Sequence, residues 1–237
     1  MNEIPVYETP VAAAVACAEA LRSLIEDALA ERSVARVAVS GGSTPRLMFD
    51  ALSAMPLDWK RIDWFWVDER CVPPSDEQSN YAMTARHLFT PAGVPAERIH
   101  RVRGELPPAE ALEQYLAEIE QVFQTDFPEF DVVQLGLGAD AHTASLFPGE
   151  PLIEEIGGVA AAVYVRKLEQ WRITLLPEAL FSARARLVLV TGEDKAEALR
   201  RITSEPLEPR RLPGQLLLSQ QALSHFFLDR AAAAGLE

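Results

Sequence analysis

A histidine in a loop after a predicted strand is the first residue in this sequence that could perform acid–base chemistry. His142 follows a glycine-rich turn at 136–138 and comes two residues after Asp140. An imidazole beside a carboxylate at a strand end is placed to act as a general base. The other histidines have no such setting, and we interpret them as surface or core-edge residues: His87, His100 and His225.

A second segment combines glycines with hydroxyl side chains. Residues 40–45 read Ser-Gly-Gly-Ser-Thr-Pro and lie between a predicted strand and a predicted helix. Glycines let the backbone approach an anion, and the following helix directs free N–H groups and its positive dipole end towards that anion. An anion site is one interpretation, and a plain turn with a Ser or Thr helix cap is the other. The candidate binding residues are Gly41, Gly42, Ser43 and Thr44.

Charged residues follow two further predicted strands. Asp68, Glu69 and Arg70 come directly after the strand predicted at 62–67, and Lys195 comes shortly after another strand. A lysine in the first turn of a helix opposes the helix dipole, which indicates a nearby anion. A solvated salt-bridged turn and an exposed solubilising lysine are the alternative interpretations of these two segments.

Several chemistries lack their motif or its context. The pattern Gly136-x-Gly138-x-x-Ala141 matches the dinucleotide fingerprint, but Pro148 and Pro151 soon interrupt the helix that such a site requires. The sequence has no HExxH or clustered Cys/His spacing, no Walker loop and no G-x-S-x-G nucleophile elbow. We therefore expect neither a metal nor a cofactor.

The elements that must position these residues alternate along the chain. Apolar residues recur at helical spacing after Thr9-Pro10, a good helix start. Further helices are predicted at about 45–54, 79–89, 108–123 and 192–202, and a short one at the C-terminus. Strands are predicted at 34–40, 62–67, 131–136, 159–165, 171–176, 187–191 and 225–228, with a polar loop at 68–78.

This alternation predicts an α/β fold: a single Rossmann-like domain over residues 1–237, with a mostly parallel sheet flanked by helices. Open sheets of this kind bind their ligands at the carboxyl ends of the strands. The four segments with candidate residues all follow predicted strands, so we expect them to meet at one edge of the sheet.

The composition is that of an acidic globular protein. The 237 residues include 22 Lys and Arg against 35 Asp and Glu, for a net charge of −13. Such a surface repels a phosphate backbone, so we expect no nucleic-acid partner. Cys17 and Cys71 do not make a disulfide framework, and no apolar run reaches the roughly 18–20 residues of a membrane span. With no signal-peptide pattern at the start, we expect no membrane association and a cytoplasmic location.

Taken together, these loops resemble the 6-phosphogluconolactonase family. His-Thr-Ala-Ser-Leu-Phe-Pro-Gly at 142–149 is very specific, whereas Ser-Gly-Gly-Ser-Thr-Pro is shared more widely. The matching segments come in the family's order and span nearly the whole chain: 40–45, 68–73 (Asp-Glu-Arg-Cys-Val-Pro), 79–81 (Ser-Asn-Tyr), 136–140 (Gly-Leu-Gly-Ala-Asp), 142–149, 172–175 (Arg-Ile-Thr-Leu) and 191–196 (Thr-Gly-x-x-Lys-Ala).

The resemblance implies hydrolysis of 6-phospho-D-glucono-1,5-lactone to 6-phospho-D-gluconate in the oxidative pentose phosphate pathway. His142 would take a proton from water and return it to the ring oxygen. Arg70 would stabilise developing negative charge or orient the substrate, and Asp68 would hold the arginine or the histidine. Lys195 and Arg172, with residues 41–44, would bind the phosphate. The partner is then a phosphorylated sugar lactone, and the protein is expected to be a monomer or a weak homo-oligomer.

Two other functions stay open. This chain also resembles the related glucosamine-6-phosphate deaminases, but it differs from them in two motifs. Those proteins have D-E-Y where this chain has Asp68-Glu69-Arg70, and G-H-I-A-F-N-E-P where this chain has residues 141–148. Phe147 therefore stands opposite a glutamate of the deaminases and cannot ionise, which favours the lactonase. The other alternative is a non-catalytic sugar-phosphate sensor, but no helix-turn-helix segment accompanies the fold.

One position departs from the family pattern. The family usually has glycine before the histidine, and this chain has Ala141. If the backbone there needs a positive φ, alanine carries strain on the order of 1 kcal/mol or more.

Overall fold

The computed structural model describes residues 4–125, 127–154, 157–218 and 224–236. Its strands in chain order are β1 (Val6–Tyr7), β2 (Ala35–Val39), β3 (Ile62–Trp66), β4 (Asp68–Arg70), β5 (Val132–Leu135), β6 (Ala160–Val165), β7 (Gln170–Leu175), β8 (Ala185–Val190) and β9 (Ser224–Asp229). Its α-helices are α1 (Pro10–Glu31), α2 (Ser43–Ser53), α3 (Asn80–Thr84), α4 (Thr90–Ala92), α5 (Pro108–Phe123), α6 (Pro177–Phe181), α7 (Ala196–Ser204) and α8 (Arg230–Ala233).

The larger sheet is parallel throughout. Among the described residues it has six strands in the order β1–β9–β8–β5–β2–β3, and each neighbouring pair runs parallel. Helices connect these strands, as parallel pairing requires. The predicted α/β fold with a mostly parallel sheet is confirmed.

A smaller antiparallel sheet stands beside the larger one. Among the described residues it contains β4, β7 and β6 in that order. Val67 joins the two sheets, because its N–H donates to Val39 O at 3.0 Å and its carbonyl accepts from Leu175 N at 2.8 Å. The strands predicted at 159–165 and 171–176 are therefore a hairpin outside the parallel sheet. The prediction of a polar loop is wrong for residues 68–70, because pairing with β7 makes them a strand.

The core lies on both faces of the parallel sheet because side chains alternate along each strand. Leu187 and Leu189 of β8 pack with α1 and α2 on one face. Val188 and Val190 pack with α5, α7 and the small sheet on the other face.

Local signals placed the two longest described helices well, whereas α6 was not predicted. Thr9 caps α1 by accepting from Ala12 N at 3.1 Å, with Pro10 as the first helical residue. The helix predicted at 108–123 matches α5. Of the helices in the described ranges, none has the length and apolar character needed to cross a membrane.

Candidate active site

A pocket of about 210 Å³ opens at the carboxyl ends of β8, β5 and β2, which are neighbours in the parallel sheet. The hairpin β6–β7 and strand β4 bring charged residues to its other side. All nine site residues that the sequence predicts line this pocket: Gly41, Gly42, Ser43, Thr44, Asp68, Arg70, His142, Arg172 and Lys195.

The first loop presents the N-terminus of α2 to the pocket. Gly42 is the N-cap with φ of 114°, and among the described residues no side chain caps this helix end. The first N–H groups of α2 are therefore available to an anion. Gly41 is needed for a different reason, since a Cβ there would lie 1.8 Å from Asn80 Oδ1. The Thr44 and Thr191 hydroxyls, 3.1 Å apart, link this loop to the one after β8.

His142 is held by a carboxylate and an aromatic ring. Its Nδ1 lies 2.5 Å from Asp140 Oδ1, which also accepts from the His142 backbone N–H at 3.2 Å. Its ring stacks on Phe147, with centroids 4.3 Å apart. An ionised carboxylate only accepts, so Nδ1 carries the proton and Nε2 keeps a free lone pair. Gly138 makes room for this arrangement, because a Cβ there would lie 2.0 Å from His142 Nδ1.

The surroundings of His142 favour the neutral imidazole. Burial lowers the pKa of His142 to about 4, and the positive charges of Arg172, Lys195 and Arg70 act in the same direction. The charge of Asp68 opposes this shift. The imidazole is thus unprotonated at neutral pH, which is the form a general base needs. The side chain is still 28% exposed, so water and substrate can reach it.

Asp68 contacts Arg172 and the hydroxyl of Ser145. Its Oδ2 accepts from Ser145 Oγ at 2.6 Å and lies 3.5 Å from an Arg172 terminal nitrogen. Both charged side chains are only 8% exposed, so this pair is buried. The sequence predicted that Asp68 would hold Arg70 or His142, and the described hydrogen bonds and ion pairs of its carboxylate include neither of them. The arginine that it contacts is Arg172.

Arg70 and Arg172 face each other across β4 and β7 as register partners. Arg70 donates to the carbonyl of Gln78, which fixes its side chain beside the pocket. The two guanidinium groups bring positive charge to this end of the pocket, where the buried carboxylate of Asp68 pairs with Arg172. Such charge stabilises a negative oxygen that develops during a reaction.

Glu69 is a structural residue of this corner. It is only 2% exposed, and its carboxylate accepts the backbone N–H groups of Asn80 at 2.8 Å and Tyr81 at 2.7 Å. Burial raises the pKa of this carboxyl group. Asn80 in turn donates to Asp68 O at 2.7 Å. Glu69 and Asn80 thus hold strand β4 in place, and neither role was predicted from the sequence.

Lys195 lies between the helix α7 and the pocket. Gly192, with φ of 101°, turns the chain after β8, and the Lys195 N–H donates back to Gly192 O at 3.1 Å. The Lys195 ammonium lies 2.9 Å from the exposed carboxylate of Asp194. Its side chain lines the same pocket as the N-terminus of α2. The Lys195 ammonium and the N–H groups at the start of α2 can therefore bind the same anion.

Sequence reasoning missed Lys167, Ser145 and the contacts of Phe147. Lys167 stands in the turn between β6 and β7, where its ammonium pairs with the Asp140 carboxylate. That ammonium also lies 4.6 Å from the Phe147 ring centroid. The sequence pointed to Lys167 only in that the chain has just three lysines. Its place beside the His142 loop depends on the β6–β7 hairpin, which local patterns do not predict.

Ala141 has the backbone conformation that glycine adopts most easily. Its φ is +68°, and its side chain is fully buried. Its N–H donates to Gly138 O at 2.9 Å and its carbonyl accepts from Gly214 N at 2.7 Å. These bonds hold the strained residue directly before His142.

Comparisons with known proteins match this chain over most of its length. Residues 8–225 match the family described as glucosamine-6-phosphate isomerases/6-phosphogluconolactonase. The chain is 36% identical to the 6-phosphogluconolactonase of Haemophilus influenzae, over 83% of this chain and 85% of that protein. It is also 36% identical to the human 6-phosphogluconolactonase, over 82% of this chain and 78% of the human protein.

Solved structures show the same fold. The 6-phosphogluconolactonase from Trypanosoma cruzi superposes with a TM-score of 0.88 at 26% identity, over 100% of this chain and 97% of that one. A monomeric glucosamine-6-phosphate deaminase superposes with a TM-score of 0.82 at 17% identity, over 98% and 99% of the two chains. The second likeness concerns the fold alone.

Proposed function

Because this chain belongs to the family of glucosamine-6-phosphate isomerases and 6-phosphogluconolactonases, we propose that it hydrolyses 6-phospho-D-glucono-1,5-lactone to 6-phospho-D-gluconate. One observation carries the proposal. A histidine with a free Nε2 shares a small pocket with an uncapped helix N-terminus and a lysine on one side, and with two arginines on the other.

The phosphate end is formed by two loops. The N–H groups at the start of α2, the hydroxyls of Ser43 and Thr44, and the ammonium of Lys195 are donors that suit a phosphate dianion. Local donors of this kind are necessary, since a net charge of −13 does not attract an anionic substrate. Arg172 is the additional candidate for this contact.

The reacting end is formed by His142 and Arg70. His142 Nε2 takes a proton from a water molecule while the water oxygen forms a bond to the lactone carbonyl carbon. Arg70, supported by Arg172 and Asp68, stabilises the negative carbonyl oxygen of the tetrahedral intermediate. The bond from the carbonyl carbon to the ring oxygen then breaks, and His142 returns the proton to that oxygen. The new carboxylic acid ionises and releases one proton to solvent.

The reaction uses a strained ester and water, so it requires no redox or group-carrying cofactor. We place it in the oxidative pentose phosphate pathway and in the cytoplasm. The partner is a small phosphorylated lactone, and we expect a monomer or a weak homo-oligomer acting without nucleic acid. The whole chain, residues 1–237, is assigned to one domain.

Two substrates separate the proposed function from its nearest rival. The protein is given freshly prepared 6-phosphogluconolactone, and acid release is followed and corrected for spontaneous opening. It is separately given glucosamine 6-phosphate, and fructose 6-phosphate is measured. Acid release from the first and no product from the second support the lactonase. Fructose 6-phosphate would establish the deaminase instead, and binding without turnover of either would establish a sensor.

A further inference from the structure

The turn that carries Lys195 is fixed from behind by a carboxylate outside the pocket. Asp229, the last residue of β9, is only 1% exposed. Its Oδ1 accepts from the Gly192 N–H at 3.0 Å and from the Ala232 N–H at 2.9 Å. One oxygen atom therefore joins the turn after β8 to the start of α8.

The register of the sheet explains why these residues meet. Val190 of β8 pairs with Leu228 of β9 in parallel, so the residues that follow each strand lie side by side. Gly192 adopts φ of 101° there, and its N–H faces a carboxylate rather than solvent. A hydrogen bond to an ionised acceptor is roughly twice as strong as one between neutral groups.

The turn Ala234–Leu236, which follows α8, contacts the loop after β8 at a second point. Gly235 packs so closely on the first residue of α7 that a Cβ would lie 1.9 Å from Ala196 O. Lys195 immediately precedes Ala196 and is the N-cap of α7. The backbone before Lys195 is thus held by Asp229 at the end of β9, and the backbone after it packs against Gly235.

We propose that Asp229 is a positioning residue that holds the Gly192 turn and thereby aims Lys195 at the substrate phosphate. Asp229 is not among the described residues that line the pocket. In this proposal it therefore acts on the substrate only through the Gly192 turn. The inference rests on the proposed function, in which Lys195 binds phosphate. It adds that phosphate recognition depends on a carboxylate, although a carboxylate in direct contact would repel that phosphate.

Three substitutions separate the contact to the turn from the cap on α8. Asp229→Asn keeps an oxygen that can accept both N–H groups. Asp229→Ser retains a good N-cap for α8, but its hydroxyl is one bond shorter and cannot also reach the Gly192 N–H. Asp229→Ala removes both contacts, and if that variant fails to fold the serine variant decides.

The readout is the ratio of kcat/KM for 6-phosphogluconolactone to kcat/KM for plain gluconolactone. Asp229→Ser and Asp229→Ala should lower this ratio about 10-fold, mainly through KM, because a displaced donor binds phosphate poorly. Asp229→Asn should lower the ratio less than either of them, because its amide oxygen still accepts both N–H groups but carries no charge. In a Lys195→Ala background, Asp229→Ser should lower the ratio no further, since coupled residues are not additive.

Three results would overturn the inference. An unchanged ratio in Asp229→Ser, beside a lowered ratio in Lys195→Ala, would leave the proposed function intact and make Asp229 only a helix cap. Equal losses on both lactones with a lower Tm would likewise reduce Asp229 to a helix cap. If Lys195→Ala itself left the ratio unchanged, the phosphate site of the proposed function would fail, and the role of Asp229 with it.

Discussion

The imidazole of His142 lies against the phenyl ring of Phe147, with centroids 4.3 Å apart and planes inclined by 29°. The stacking buries one face of the base and fixes its plane, while Asp140 fixes its Nδ1 edge. The guanidinium of Arg172 lies 5.5 Å from the centroid of the same phenyl ring. Phe147 therefore contacts both the base and Arg172, which supports Arg70 in the proposed mechanism.

Titration of the free protein should show one histidine with an unusually low pKa. Because burial and three cations lower the pKa of His142 to about 4, its neutral form should persist from pH 7 to about pH 5 and be lost as pH falls through about 4. Histidine NMR signals followed between pH 3 and 8, assigned by the His142→Ala variant, test this. A midpoint near 6.5, the ordinary value for histidine, would contradict the described environment.

Arg70→Lys should be damaging although it preserves the charge. A planar guanidinium holds the Gln78 carbonyl and can direct further N–H groups to the substrate, whereas an ammonium is a point charge. Loss of one charged hydrogen bond costs about 1.5–3 kcal/mol, so kcat/KM should fall roughly 10–100-fold. The matched control is Arg200→Lys, on an exposed Glu197 pair. Wild-type kcat/KM in Arg70→Lys would reduce Arg70 to a source of positive field.

Lys195→Ala should weaken phosphate recognition more than the chemical step. A charged hydrogen bond to phosphate is worth about 1.5–3 kcal/mol, so KM should rise roughly 10–100-fold with little change in kcat. Wild type should prefer the phosphorylated lactone strongly, and the variant should lose much of that preference. Lys60→Ala, at an exposed lysine outside the pocket, is the control. A large fall in kcat at unchanged KM would place Lys195 in the chemical step instead.

Ala141 should tolerate glycine but not valine. Glycine relieves about 1 kcal/mol of strain at positive φ and loses a buried methyl group worth about 0.8 kcal/mol. Unfolding free energies from urea titration should therefore agree within about 1 kcal/mol for Ala141→Gly and wild type. Valine adds a branched side chain at φ of +68° in a fully buried place, and should cost more than about 2 kcal/mol. A stable Ala141→Val variant would show that this turn can change its backbone conformation.

Local patterns in the sequence were sufficient for most of the fold. The apolar spacing of α5 and the Thr9-Pro10 start of α1 predict those helices because both signals act within a few residues. Strand β4 was not predicted, since Asp68, Glu69 and Arg70 have no apolar alternation. Its pairing with β7 joins residues about one hundred positions apart, and no local signal carries such a contact.

Some residues of the candidate site could be predicted from the sequence, and others could not. Motif residues such as His142 and Lys195 were predictable because each follows a strand of the parallel sheet. The partner of Asp68 was not, because Arg172 and Ser145 reach it only through the small antiparallel sheet. Lys167 and Asp229 were missed for the same reason, since both depend on which strands become neighbours.

The proposed function depends above all on His142 as the general base, and one variant decides that role. His142→Ala is compared with wild type and with His225→Ala, a substitution at an exposed histidine outside the pocket. Folding is checked by Tm, and hydrolysis of fresh 6-phosphogluconolactone is corrected for spontaneous opening. We predict a loss of roughly 10²–10⁴-fold in kcat for His142→Ala, the usual contribution of a positioned acid–base group, and no loss for His225→Ala. Near wild-type turnover by a folded His142→Ala protein would contradict the role of His142 as the base.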